Sequence, residues 1–227
     1  MICINCLMLK ISNLRKKFRN ADGEVTEVIN IPDFSLKENY RMAISGKSGS
    51  GKSTFLNLVS GIISADDGEI NFNQTKLTSL SESKRDIFRS QNIGYIFQTF
   101  NLLQAFTAIE NVMLGMMFAG KSDRKNAETL LNKVGLDKKI NHKPSELSVG
   151  EQQRVAIARA VANSPKLILA DEPTANLDAK NGEIAIDLIK NICEEDKISL
   201  MLVSHEADII NRFENKINFE DINKVNV

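Results

Sequence analysis

The sequence predicts an α/β domain with a parallel core sheet, an antiparallel β region near its start and a helical insertion in its middle. Three observations support this. Short apolar runs such as Arg41–Ser45 and 167–170 alternate with helical stretches, the pattern of strands covered on both faces. Polar–apolar alternation over 7–12 and 25–31 marks half-exposed antiparallel strands. From 98 to about 143 strand patterning gives way to helical periodicity, after which the strand–helix alternation resumes.

In chain order, Asp22-Gly23 is a hairpin turn between the first two strands. Strand Arg41–Ser45 runs directly into a glycine-rich loop, and 52–60 reads as a helix stopped by Gly61. Asp66-Asp67-Gly68 turns the chain into a strand at 69–72; 81–90 is helical and polar, and 93–97 is a strand. The insertion holds helices at 107–118 and 122–134, opened by Thr107 and Ser122 as caps. A helix at 150–162, the strand 167–170, a helix at 179–194, a strand at 199–203 and a last strand near 216–219 follow. No repeat or low-complexity linker interrupts the pattern. A single domain over 1–227 is expected, with 1–97 and 155–227 as its core and 98–154 as a helical subdomain.

At 227 residues the chain can bury one full core. Its formal net charge is zero and no Lys/Arg cluster is long enough to track a phosphate backbone, so no nucleic-acid partner is expected. The longest apolar stretch, 112–120, is about half of the roughly 20 residues a membrane helix requires. Residues 1–9 are apolar but lack the basic start and cleavage site of a signal peptide. A soluble chain is expected, with any membrane role arising through a partner. Cys3 and Cys6 form a CxxC without a second pair, so Cys3, Cys6 and Cys193 read as reduced thiols rather than zinc ligands.

Two stretches contain the chemistry. Gly46-Lys47-Ser48-Gly49-Ser50-Gly51-Lys52-Ser53, followed by Thr54, has the form of a phosphate-binding P-loop between a strand and a helix. Gly46, Gly49 and Gly51 let consecutive N–H groups face the phosphates, while the helix offers its positive end. Lys52 is placed to reach the β- and γ-phosphates and the Ser53 hydroxyl to bind Mg²⁺. The apolar strand 167–170 ends in Asp171-Glu172, where ligands bind in α/β sheets. Asp171 is read as holding Mg²⁺, directly or through water, and Glu172 as polarising the attacking water. The competing reading of this pair, as caps for the next helix, is weakened by Pro173.

The order Lys52, Gln98, Ser148-Val149-Gly150-Glu151, Asp171-Glu172, Asp178, His205 resembles the nucleotide-binding domains of ABC transporters, and the resemblance covers nearly the whole chain. It implies an ABC-type P-loop ATPase fold, with 98–154 as the signature subdomain. Gln98 is similar to the Q-loop glutamine that contacts Mg²⁺ and water. Ser148 and Gly150 resemble the signature residues that touch the γ-phosphate held by the opposite subunit. Asp178 resembles the D-loop aspartate of the dimer seam, His205 the switch histidine, and Phe18 the aromatic residue that stacks on adenine. On their own, Gln98 and His205 would not carry these roles, a lone His being more often a surface or core residue, and Phe18 reads as core. Three positions depart from the pattern: Val149 replaces a glycine, Glu151 a glutamine, and Asn39-Tyr40 a Gly-Glu turn that Asn can still form.

Residues 97–103, 141–148 and 169–178 are similar to the subgroup of lipoprotein-releasing and macrolide-export ATPases, with the cell-division member a near relative. The resemblance implies ATP and Mg²⁺ as cofactors and a head-to-tail homodimer. It further implies one or more integral membrane permease subunits and a peripheral position on the cytoplasmic face of the inner or plasma membrane. Phe100, Leu102, Leu103 and Phe106 read either as core of the helical subdomain or as a groove for a helix of that partner. The alternatives are a soluble ABC ATPase acting on DNA or ribosomes, and a non-hydrolysing nucleotide switch.

Overall fold

The computed structural model describes residues 7–225, so Cys3 and Cys6 lie outside the described residues. The chain forms two compact units, one of residues up to Asp86 together with those from Val203 onward, the other of Ile87–Leu202.

In the first unit, β1 (Leu7–Arg19) and β2 (Val25–Lys37) make a long antiparallel hairpin. β3 (Arg41–Ser45) follows, and β4 (Asp67–Phe72) and β5 (Thr75–Lys76) complete an antiparallel sheet in the order β2-β1-β4-β5. The first two strands run well beyond the alternating stretches. Register shifts at Leu7/Leu9 and Lys16/Lys17 break the period, and Met8 and Leu9 are buried side by side. Gly23 takes φ +85 at the expected hairpin turn, and Asn39 adopts the left-handed conformation before β3. A Cβ on Gly68 would collide with the Asn13 backbone, so this turn into β4 admits only glycine.

β3 pairs in parallel with β9 (Asn215–Asn218), Met42 opposite Asn215. α1 (Lys52–Val59) buries Phe55 between Phe34 of β2 and Phe219, at ring-centroid distances of 5.4 and 5.7 Å. Phe219 opens α8 (Phe219–Ile222), and both α8 and α7 (Ala207–Asn211) are additions to the sequence reading. α2 (Glu82–Asn92) leads into the second unit and buries none of its residues.

In the second unit, β6 (Ile93–Ile96) and β7 (Leu167–Asp171) pair in parallel, Ile93 opposite Leu167, and β8 (Ser199–Ser204) lies beside β7 before running on into the first unit. Every residue of β6 and β7 is buried, as their apolar runs require. Around them stand α3 (Ala108–Met117), α4 (Arg124–Lys133), α5 (Val149–Val161) and α6 (Ala179–Glu195). A Cβ on Gly94 would collide with the Ala160 carbonyl of α5, which shows how closely this helix lies on β6. Thr107 caps α3 in a full capping box with Glu110. Ser122 does not cap α4. Asp123 does, its carboxylate accepting from the Asn126 N–H at 3.0 Å, and the helix starts two residues later than expected. The α/β class is borne out, with parallel pairing, an antiparallel region and a helical stretch. Among the described residues no helix is long and apolar enough to cross a membrane.

Candidate nucleotide site

In the first unit, β3 delivers the chain into the loop that precedes α1. Gly49 and Gly51 take φ of +77° and +101°, where side chains are strained. Gly46 does not. A Cβ there would instead lie 3.2 Å from Ser50 Oγ and 3.4 Å from Lys52 Cδ, filling the hollow of the loop. Gly51 is the N-cap of α1 and supplies no side-chain acceptor, and a helix start of this kind favours an anion. Lys52 is buried (6% exposed), and its Nζ donates to the carbonyls of Gly46 at 2.7 Å and Lys47 at 2.8 Å. The ammonium therefore sits inside the loop. Ser50 Oγ is buried with no hydrogen-bond partner among the described residues, a polar atom lacking an acceptor in a cradle of donors. Lys47, Ser48 and Ser53 are exposed and Thr54 is half-buried. These residues fit a polyphosphate. Phe18, near the end of β1, is 43% exposed, with Lys16 Nζ 5.5 Å from its ring centroid. His205 is exposed just past β8, in a turn where Ser204 Oγ accepts from the Glu206 N–H at 3.1 Å.

In the second unit, Asp171 ends β7 and Glu172 follows it, each 8% exposed. Glu172 has φ +44°, rare for a side chain of its size. Two overlapping turns hold it, Ala175 N–H to the Glu172 carbonyl (3.1 Å) and Leu177 N–H to the Thr174 carbonyl (2.9 Å). The buried amide of Gln153 on α5 donates to the Pro173 carbonyl at 2.9 Å. The cap of α6 is Asp178, so Asp171 and Glu172 are not a capping pair. Tyr95 of β6 stacks on Phe97 at 4.1 Å, and burial together with the Asp171 charge pushes its phenol pKa up. Gln98 is exposed just beyond β6.

Ser148 caps α5. Its Oγ accepts from the Glu151 N–H at 3.3 Å, while the Glu151 carboxylate accepts from the Ser148 N–H at 2.8 Å. The Ser148 backbone N–H, with its hydroxyl, holds the Glu151 carboxyl below the usual range. A Cβ on Gly150 would sit 3.0 Å from Asn181 Oδ1, so glycine here makes room for a neighbour rather than for a bend. Asn181 in turn donates to Asp178 through its backbone N–H at 3.0 Å and its amide at 2.6 Å. Ser148, Gly150 and Asp178 are thus brought together. Among the described residues no three His, Cys, Asp or Glu side chains cluster to hold a metal. P-loop Mg²⁺ needs no such cage, since it is bound by a hydroxyl, one or two protein groups and the phosphates themselves.

The family model for ABC transporters matches residues 29–175. A lipoprotein-releasing system ATP-binding protein, LolD of Treponema denticola, is 46% identical over 202 residues, covering 88% of this chain and 89% of that protein. This chain belongs to the ABC transporter family. The LolD of Saccharophagus degradans is 41% identical over 207 residues, covering 90% of each. Two dimeric structures of the ATP-binding cassette MJ0796, one of them in a post-hydrolysis state bound to ADP and Pi, match this ABC protein with a TM-score of 0.85 at 37% identity. Each match covers 93% of this chain and 94% of that one. The protein is an ATP-binding subunit of an ABC transporter, and an ATPase.

The departures noted in the sequence have structural accounts. Val149 occupies the first turn of α5, 47% exposed, and leaves the cap intact. Glu151 is the capping-box partner of Ser148, a spacing that was there to be read. Of the four apolar residues after Gln98, Leu102 is core, Phe100 is half-buried, and Leu103 and Phe106 are exposed and joined by a turn (Phe106 N–H to the Leu103 carbonyl, 3.1 Å). Gln153, Asn176 and Asn181 went unnoticed, because their partners lie well away in the chain or within an unremarkable helix start.

Proposed function

We propose that this ABC ATPase powers the release of lipoproteins from a membrane, working as a head-to-tail pair against an integral membrane partner. The supporting observation is its identity of 46% and 41% to two LolD proteins along nearly their whole lengths. In this reading ATP lies on the loop from Gly46 to Thr54, with Lys52 on the β- and γ-phosphates and Phe18 against adenine. Mg²⁺ is held by Ser53, Gln98 and Asp171 as well as by the phosphates. Glu172 polarises the attacking water, His205 senses the γ-phosphate, and Ser148 and Gly150 of the opposite subunit close over it, with Asp178 at the seam. The start of α5, capped by Ser148, suits that task. Residues 98–154 form the helical signature subdomain and pass the motion on to the membrane partner. The subunit works at the cytoplasmic face, and Leu103 and Phe106 receive a short helix of the partner.

The test begins with tagged Glu172→Gln protein, which should keep ATP while turning over about 10²–10⁴ times more slowly. Recovered from detergent-solubilised membranes with Mg-ATP, it should bring a partner with few spans and a large extracytoplasmic domain. Leu103→Ala and Phe106→Ala should lose that partner and keep ATP binding. In proteoliposomes the wild-type complex should be stimulated by an acylated lipoprotein and not by its unacylated form. Equal responses to the two would overturn lipoprotein release as the task.

A further inference from the structure

The segment that follows β6 has no regular structure, yet several of its carbonyls are held by side chains. Arg159 of α5 donates to the carbonyls of Phe100 at 2.7 Å and Asn101 at 2.6 Å. Asn111 of α3, fully buried, donates to the Leu103 carbonyl at 3.2 Å and accepts from the Leu103 N–H at 2.8 Å. These two anchors stand inside helices. The third is different: the Asn176 amide donates to the carbonyl of Gln98 itself at 2.7 Å. Asn176 is exposed and lies in the double turn between Glu172 and Asp178. Its amide ties that turn to the start of the Gln98 segment.

We infer that Asn176 is a positioning residue: it fixes the Gln98 carbonyl, and so the direction of the Gln98 side chain, to the turn that carries Glu172 and Asp178. Pinning a residue's carbonyl fixes its ψ, and a free ψ at Gln98 lets the backbone at the root of that side chain rotate. The proposed seam residue Asp178 lies two positions beyond Asn176, so a shift of the turn when a partner subunit arrives would be delivered to Gln98 through this bond. The link needs a donor at this position. Aspartate has the same shape but presents an oxygen to the carbonyl, so the link becomes a repulsion. The inference rests on the proposed role of Gln98 at Mg²⁺ and water.

The experiment compares wild type, Asn176→Asp, Asn176→Ala, Gln98→Ala and the double variant Asn176→Asp/Gln98→Ala by steady-state ATPase kinetics and thermal melting. Both Asn176 variants should melt within about 2 °C of wild type, because an exposed bond is lost. Their kcat should fall roughly ten- to a hundredfold, the usual range for a positioning partner, with KM for ATP unchanged. In the Gln98→Ala background, Asn176→Asp should have no further effect, since the residue acts through Gln98. Undiminished kcat in both Asn176 variants, or losses that multiply in the double variant, would overturn the inference and leave Gln98's role standing. Full activity of Gln98→Ala would instead overturn the role of Gln98, and this inference with it.

Discussion

Gly51 shows how closely one backbone position can be specified. Its φ is +101°, and a Cβ would lie 3.1 Å from both the carbonyl oxygen and Cγ1 of Val28. Gly49, at φ +77°, has nothing within 4 Å of its absent Cβ. Alanine incurs the left-handed penalty of roughly 1–2 kcal/mol at either position, but only at 51 is a backbone atom also in the way. Gly49→Ala should therefore cost about 1 kcal/mol, and Gly51→Ala about 2–3 kcal/mol together with ATP binding. Thermal melts and titration with a fluorescent ATP analogue measure both, and equal losses would show that Val28 is not the limiting contact. Glu172 presents the converse case, a buried carboxylate held in the left-handed region that glycine would occupy without strain. Its place at a strand end could be read from the sequence. Its strain could not, because the turns that impose it involve carbonyls and amides that every residue type possesses.

Helix starts link the site to pH. Backbone N–H bonds come first among the causes that hold three carboxyls below their usual range: Glu110 from Thr107, Glu151 from Ser148 and Asp178 from Asn181. A pKa depressed in the folded chain means that the cap's contribution is fully present above the unfolded value, near 4. It is then lost as pH falls through the lower folded value. Denaturant melts should show stability falling from roughly pH 5 to pH 3. Glu151→Gln, which a capping box accepts, should change stability at neutral pH by less than about 1 kcal/mol and make that acid loss shallower. A variant with the wild-type slope would rule out Glu151 as a contributor. Caps were legible only in part. Thr107 is where it was expected, the α4 cap lies one residue further on because Asp123 competes with Ser122, and the Ser148–Glu151 spacing stood in plain view. Strand lengths were less legible, since the bulges in β1 hide its period. Four-residue α8 was illegible for a different reason: so short a helix does not hold itself, and it forms because Phe219 is buried against Phe55.

At the scale of the whole molecule, each chain contains a P-loop in one unit and, in the other, the Ser148–Gly150 helix start proposed to close over ATP. The proposed pair uses the P-loop of one copy with the helix start of the other, and this makes a prediction that no single-chain site shares. Lys52→Ala disables the P-loop and spares Ser148; Ser148→Arg does the reverse. Alone, each variant should be nearly inactive. Mixed in equal amounts, half of the pairs are mixed pairs, and each contains one site built from an intact P-loop and an intact helix start. Activity should then return to at most about a quarter of wild type, less where the two sites act together, and only above the concentration at which copies associate. A site completed within one chain stays inactive in the mixture, because every chain in it carries a lesion. Recovery on mixing, tracked by ATPase rate against total concentration, therefore separates a site shared between copies from one that each chain closes alone.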